Sequence, residues 1–229
     1  MSEIKVELQE FMGSDRSIAE SAWTSSLDYQ KKQTRTNEDV ERVVKMLAND
    51  KHSTPFESVI FKFWIKMPIA IDRQHMTHRI GSHNGMSGRY RTMPTEWLKI
   101  PEDVKHIMDI AIESDSQFII DEYEDLCNKT NAWYKNTISY LKTREGKEIN
   151  NIQYKRVREF LRGVLPQHNM TERVTIFNLR SFANYMKLRN SKHAQPEIQQ
   201  VAKLMLAAVQ AANVCPIALK QLEDNNWNI

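Results

Sequence analysis

The segment Glu57–Met67 constrains the fold most. Val59, Phe61, Phe63, Ile65 and Met67 face one way, while Ile60 and Trp64 share the other side with Ser58, Lys62 and Lys66. A period of two belongs to a β-strand, and apolar residues on both faces make that strand central to its sheet. Pro68 follows at once and opens a helix, because its missing N–H has no intrahelical partner at the first helical position.

That helix leads into Gln74–Tyr90, 17 residues that bring together cations, amides, hydroxyls and three glycines. Such a run makes a poor core element and a good surface for an anionic, planar ligand. Gly81, Gly85 and Gly88 admit backbone conformations closed to other residues and allow a ligand to approach closely. Ser82, Asn84 and Ser87 add short polar groups, and Arg89 offers a planar fork that grips a phosphate with two hydrogen bonds. His78 and Arg79 also suit the C-terminal end of a helix, where cations are favoured. His75 and His78, three residues apart, can share a helical face. With His83 they still lack the nearby carboxylate or cysteine that a tetrahedral zinc site needs, so no metal is expected.

The remaining elements follow from pattern. Ile4, Val6 and Leu8 alternate with charged residues as a half-buried strand. After the turn Gly13-Ser14-Asp15, a helix spans Arg16 to about Ser25. Lys31–Thr36 reads as a polar, basic loop. Asn37 caps a helix over Glu38–Asn49 with Val40, Val43, Val44 and Leu47 on one face. His52–Phe56 is a turn. Glu102 to about Leu141 is helical, with an apolar stripe through Val104, Ile107, Met108, Ala111, Ile112, Phe118, Ile119, Tyr123, Leu126 and Trp133. Further helices cover Ile149–Leu161, Asn178–Arg189 and a long stretch opened by Pro196, and Arg173–Phe177 is a strand. The class is α+β: one helix-rich domain over 1–229 with a small, mainly antiparallel sheet.

Composition narrows the function. Charged residues are 27% and the net charge is +3, with cations dispersed, so no nucleic-acid face stands out. No apolar run is long enough to span a bilayer and no basic, apolar leader opens the chain, which points to the cytoplasm. Cys127 and Cys215 are far apart and outside any C-x-x-C. Each sits in an apolar helical stretch, so neither reads as an activated nucleophile.

Four blocks resemble one family in order and spacing. Thr77-His78-Arg79, seven residues, then Ser87-Gly88-Arg89-Tyr90 resembles the signature of flavin-dependent thymidylate synthases. His52-Ser53-Thr54-Pro55-Phe56-Glu57, Asn178-Leu179-Arg180-Ser181 and Leu188-Arg189-Asn190-Ser191-Lys192-His193-Ala194-Gln195-Pro196-Glu197-Ile198 resemble three more of its segments. The resemblance implies a homotetramer with shared sites. It implies methylation of dUMP at C5, with methylenetetrahydrofolate as carbon donor, NADPH as reductant and FAD as cofactor. It assigns the nucleotide to Gln74, His75, Met76, Thr77, Gly85, Met86, Ser87, Gly88, Arg89, Arg162 and Arg189. Of these, Arg189 stands against the pyrimidine as the catalytic cation. It assigns FAD to Ser25, Thr54, Glu57, Thr77, His78, Arg79, Asn178, Leu179, Arg180, Asn184 and His193. No nucleic acid, membrane or covalent protein nucleophile is implied.

Two positions depart from the family pattern: Thr77 stands where the first signature arginine would be, and Gly85 where an acid is usual. They leave two alternatives open. One is another pyrimidine nucleotide or another C5 modification, such as hydroxymethylation. The other is a non-catalytic flavin- or nucleotide-binding relative, or an RNA-binding module.

Overall fold

The strand read first is the one the larger part of the molecule is built on. In the computed structural model, which describes residues 3–228, strand β2 runs over Ile60–Pro68. Val59, Phe61, Phe63, Ile65 and Met67 are all fully buried. β2 is an interior strand of a four-stranded sheet ordered β1-β2-β4-β3, with β1 Lys5–Met12, β3 Ser82–Gly85 and β4 Met170–Asn178. β1 pairs antiparallel to β2, from Lys5 opposite Lys66 to Met12 opposite Ile60, with a register shift between Leu8 and Glu10.

The helices, in chain order, are α1 Asp15–Trp23, α2 Tyr29–Gln33, α3 Asn37–Asn49, α4 Ile69–His75, α5 Glu102–Ile112, α6 Gln117–Lys142, α7 Asn151–Leu161, α8 Leu179–Arg189, α9 Pro196–Ala211 and α10 Pro216–Asp224. Packing divides the chain into two compact units, one chiefly Met67–Asp72 with Gly85–Glu172, the other Ile4–Lys66, Arg73–Asn84 and the segment from Arg173 onward.

In the larger unit α8 covers the buried face of β2. Phe182 meets Phe61 edge-on at 5.3 Å and stacks with Phe63 at 5.9 Å. Aromatic pairs in these geometries add to the stabilisation that burial already provides. α9 lies against β1, and α1, α3 and α10 pack together. The side chain of Asp15 accepts the Ile217 and Ala218 N–H groups at 3.1 and 2.8 Å, satisfying two orphan donors at the start of α10.

In the smaller unit Tyr134, Ile138, Tyr154, Leu165 and Met93 form the core. Asn131 and Asn169 exchange reciprocal amide bonds at 3.2 and 2.6 Å.

Several local expectations need correction. The helix expected over Glu102–Leu141 is two helices, because Glu113 takes a left-handed conformation and ends α5. Much of the apolar stripe lies in solvent: Ile107, Phe118, Leu126 and Trp133 are exposed, and α6 buries Cys127, Asn131, Tyr134 and Ile138. Part of Lys31–Thr36 belongs to the short helix α2, capped by Asp28 accepting from Lys31 N–H at 2.8 Å. Thr36, not Asn37, caps α3, since its hydroxyl reaches Asp39 N–H and Asp39 returns the bond in a capping box. α10 was not anticipated.

Candidate functional site

α4 ends at His75 and α8 ends at Arg189, and the two ends meet. Arg189 Nε donates to His78 Nε2 at 2.9 Å. Its Nη2 donates to the Thr77 hydroxyl at 3.0 Å and to the Gln74 carbonyl at 3.3 Å. The Thr77 hydroxyl in turn donates to the Gln74 carbonyl at 2.7 Å. The guanidinium is therefore fixed along one edge, while Nη1 stays outside this set of contacts. His78 must be neutral to accept from Arg189. Its burial, followed by the adjacent Arg189 and His83, pulls its pKa down to about 4.

Beside this clamp lies a cavity of about 680 Å³ in the larger unit. Of the residues assigned to ligands from sequence, Glu57, Thr77, His78, Arg79, Arg180, Asn184 and Arg189 line it. Arg180 Nη1 pairs with Glu57 Oε1 at 2.7 Å across 123 positions of sequence. Ile80, Lys187, Leu188, Trp227 and Asn228 also line it and were not anticipated. No motif marks the C-terminal pair, which is held to α8 by the bond from Lys187 Nζ to Asn228 Oδ1 at 3.0 Å and by Trp227 edge-on to Phe182 at 6.1 Å. A second recess of about 470 Å³ in the same unit holds Ser25 and Thr54.

Other assigned residues are occupied internally. His75 is fully buried, and both its ring nitrogens are engaged by Tyr185 and Thr175 at 2.9 Å, so its ring has no nitrogen free for a ligand. Asn178 caps α8 by accepting from Ser181 N–H at 2.8 Å. Leu179 is core, its N–H bonded to the Val59 carbonyl at 2.8 Å. Met76 and His193 are exposed and do not line the cavity. Gln74 Nε2 bonds Gln195 Oε1 at 2.6 Å.

Gly85, Met86, Ser87, Gly88, Arg89 and Arg162 belong to the smaller unit. Ser87 turns the chain, its carbonyl accepting from Tyr90 and Arg91 N–H. Arg89 pairs with Glu159 at 3.1 Å.

The polar stretch is thus not wholly a surface, since His75 and His78 are buried and Ser82–Gly85 forms β3. Gly81 and Gly88 serve packing rather than unusual backbone. None of the three glycines in the stretch has a positive φ. A Cβ on Gly88 would sit 2.6 Å from Arg162 Cδ, and one on Gly81 would sit 2.5 Å from Phe177 Cε1. Phe177 is buried against His75, His83 and Tyr185, so its ring has no open direction. Gly81→Ala is therefore expected to cost roughly 3 kcal/mol and to lower the melting temperature by roughly 5–10 °C in thermal unfolding. An unchanged melting temperature would contradict this packing.

Fold and site define a helix-rich α+β protein with a cavity in its larger unit that sets guanidinium groups beside amide and apolar surface. The family model described as thymidylate synthase complementing protein matches residues 7–217. The chain belongs to the flavin-dependent thymidylate synthase family. A flavin-dependent thymidylate synthase of Kosmotoga olearia is 36% identical, covering 93% of this chain and 86% of its own. One of Thermosipho africanus is 34% identical over 85% of this chain and 81% of its own. In fold the chain is similar to the UMP/dUMP methylase PolB of Streptomyces cacaoi bound with 5-bromo-UMP. The TM-score is 0.70 at 21% identity, covering 99% of this chain and 96% of that one. Among the described residues no helix is long and apolar enough to cross a membrane.

Proposed function

We propose that this protein converts dUMP to dTMP, with methylenetetrahydrofolate as carbon donor, NADPH as reductant and FAD as cofactor. The observation that carries the reading is Arg189, held by His78, Thr77 and the Gln74 carbonyl at the edge of the large cavity. A fixed cation beside a pyrimidine favours its N3-deprotonated form and polarises the ring.

The cavity suits FAD. Its volume of about 680 Å³ falls within the range of roughly 300–1,000 Å³ usual for cofactor sites. Leu188, Ile80 and Trp227 offer apolar surface, Asn184 an amide, and Arg79, Arg180 and Lys187 charges for a pyrophosphate. When bound, FAD supplies the hydride chemistry. The protein orients the nucleotide, holds its charge and excludes water.

Arg89 and Arg162 are assigned to the nucleotide phosphate, with Ser87 beside them. Neither cysteine serves as a nucleophile, because both are buried and burial raises both thiol pKa values. The protein self-associates as a homotetramer; the exposed apolar residues of α5 and α6, Ile107, Ile110, Phe118, Leu126 and Trp133, support self-association, without bearing on its stoichiometry.

Purified protein is expected to be yellow, and in the absence of oxygen its reduced flavin should be reoxidised only when both dUMP and methylenetetrahydrofolate are present, with dTMP as the product by mass. A colourless protein that takes up no FAD would overturn the reading. One observation favours a neighbouring substrate. Position 77 carries a neutral hydroxyl bonded to Arg189, and the structurally similar PolB is a UMP/dUMP methylase. Mass analysis of products from dUMP, UMP and dCMP separates these outcomes, including hydroxymethylation.

A further inference from the structure

Behind the Arg189 clamp lies a chain of hydrogen bonds that no assigned role uses. Tyr185 Oη and His75 Nδ1 are 2.9 Å apart, and His75 Nε2 lies 2.9 Å from the Thr175 hydroxyl. That hydroxyl is 3.1 Å from His83 Nδ1, and His83 Nε2 is 3.0 Å from the His78 carbonyl. Tyr185, His75 and Thr175 are buried.

The last contact sets the direction of all the others. A carbonyl only accepts, so His83 carries its proton on Nε2, and in the neutral ring Nδ1 must accept. It accepts from the Thr175 hydroxyl, whose oxygen then accepts from His75 Nε2–H. His75 Nδ1 is left as an acceptor for Tyr185 O–H. From Tyr185 onward each group donates one hydrogen bond forward, and His75, Thr175 and His83 each accept one from behind. Burial, with cationic neighbours adding to it, holds His75 well below its ordinary pKa, which agrees with a single-proton ring in this sequence. The sequence ends on a peptide carbonyl, so it delivers no proton to a ligand. Its effect is mechanical.

The end point is well placed for such an effect. His83 grips the carbonyl of His78, and Tyr185 lies edge-on against the His78 ring at 4.7 Å. His78 is thus held through both backbone and ring, with its Nε2 lone pair pointed at Arg189 Nε. Phe177 seals the row, its ring within 6 Å of those of His75, His83 and Tyr185.

We propose that Tyr185, His75, Thr175 and His83 form a one-directional hydrogen-bond strut that fixes His78 and thereby aims the Arg189 guanidinium, making Thr175 and His83 positioning residues for Arg189. The strut itself stands on geometry alone; its effect on turnover rests on the reading of Arg189 as the cation beside the pyrimidine. Thr175 is the most informative position, because valine keeps its shape and removes only the hydroxyl through which two of the bonds pass.

The test pairs ¹⁵N NMR with kinetics on the full-length, FAD-loaded protein. In the unaltered protein the Arg189 Nε–H should exchange slowly with solvent and His78 should show an unprotonated Nε2. Thr175→Val is expected to speed Arg189 Nε–H exchange at least 10-fold. It should lower kcat about 10- to 100-fold, as misplacement of a reacting group does, with KM for dUMP within about 2-fold. Thr175→Ser should restore both. His83→Gln, whose amide can donate to the carbonyl and accept from Thr175, should preserve them and serves as the second probe if the valine variant does not fold.

Unchanged Arg189 exchange in Thr175→Val, or loss of the slow-exchanging signal in a folded His83→Gln, overturns the strut. Faster Arg189 exchange without loss of kcat supports the strut and instead overturns the reading of Arg189.

Discussion

Arg189→Ala is expected to reduce nucleotide-dependent flavin turnover by about a thousandfold, the scale seen when a preorganised charge-stabilising donor is removed. Arg189→Lys should recover little of it. Arginine here divides its donors between an imidazole nitrogen, a hydroxyl and a carbonyl on one side. A lysine has one nitrogen and cannot hold that edge while also presenting charge to a ligand. The loss should fall on kcat, since the phosphate grip assigned to Arg89 and Arg162 is untouched. The variant also carries a local check independent of activity. Arg189 is one cause of the depressed His78 pKa, so its removal should raise that pKa from about 4, read by histidine NMR. A His78 pKa that does not move, or turnover within 10-fold of the unaltered protein, would show that the guanidinium does not act where the clamp sets it.

The second large effect is acid destabilisation. His75 and His78 have folded pKa values below the ordinary 6.5, His75 well below and His78 at about 4, with burial the first cause in both. Below 6.5 the unfolded chain takes up protons that these rings refuse while folded, so stability falls as pH falls. The His78 share stops growing near pH 4. Within its window it contributes about 1.4 kcal/mol per pH unit, so roughly 1.5 kcal/mol should be lost through His78 between about pH 6.5 and about pH 5, and His75 adds to the loss in the same direction. The loss fades as pH rises above 6.5. Urea unfolding at several pH values measures it. His75→Phe should flatten the slope even if the variant is less stable throughout. A pH-independent midpoint over that interval would mean that neither ring is held neutral by the fold.

Much of the scaffold and part of the site is legible in the sequence. The alternation in β2, the cap at Asn178 and the proline starting α9 are all local signals, and the structure bears each of them out. The family blocks brought seven residues of one cavity together from four parts of the chain. The apolar stripe of α5 and α6 is legible but its exposure is not, because periodicity reports an apolar face without reporting what covers it. The use of the three histidines is legible only in part: His78 lines the cavity it was assigned to, while the internal partners of His75 and His83 are hidden, since a sequence lists polar residues without their partners.

The sequence by itself determined what depends on neighbours along the chain: strand and helix periods, caps, and the motifs that mark the family. Only the tertiary structure decided the use of His75, His83 and the glycines. Their roles depend on Thr175 and Phe177, about 100 residues away, and on which hydrogen-bond donors and acceptors β3, β4 and α8 bring within 3 Å of one another. A buried polar group is stable only with such partners, and no local pattern encodes a partner that folding has yet to deliver.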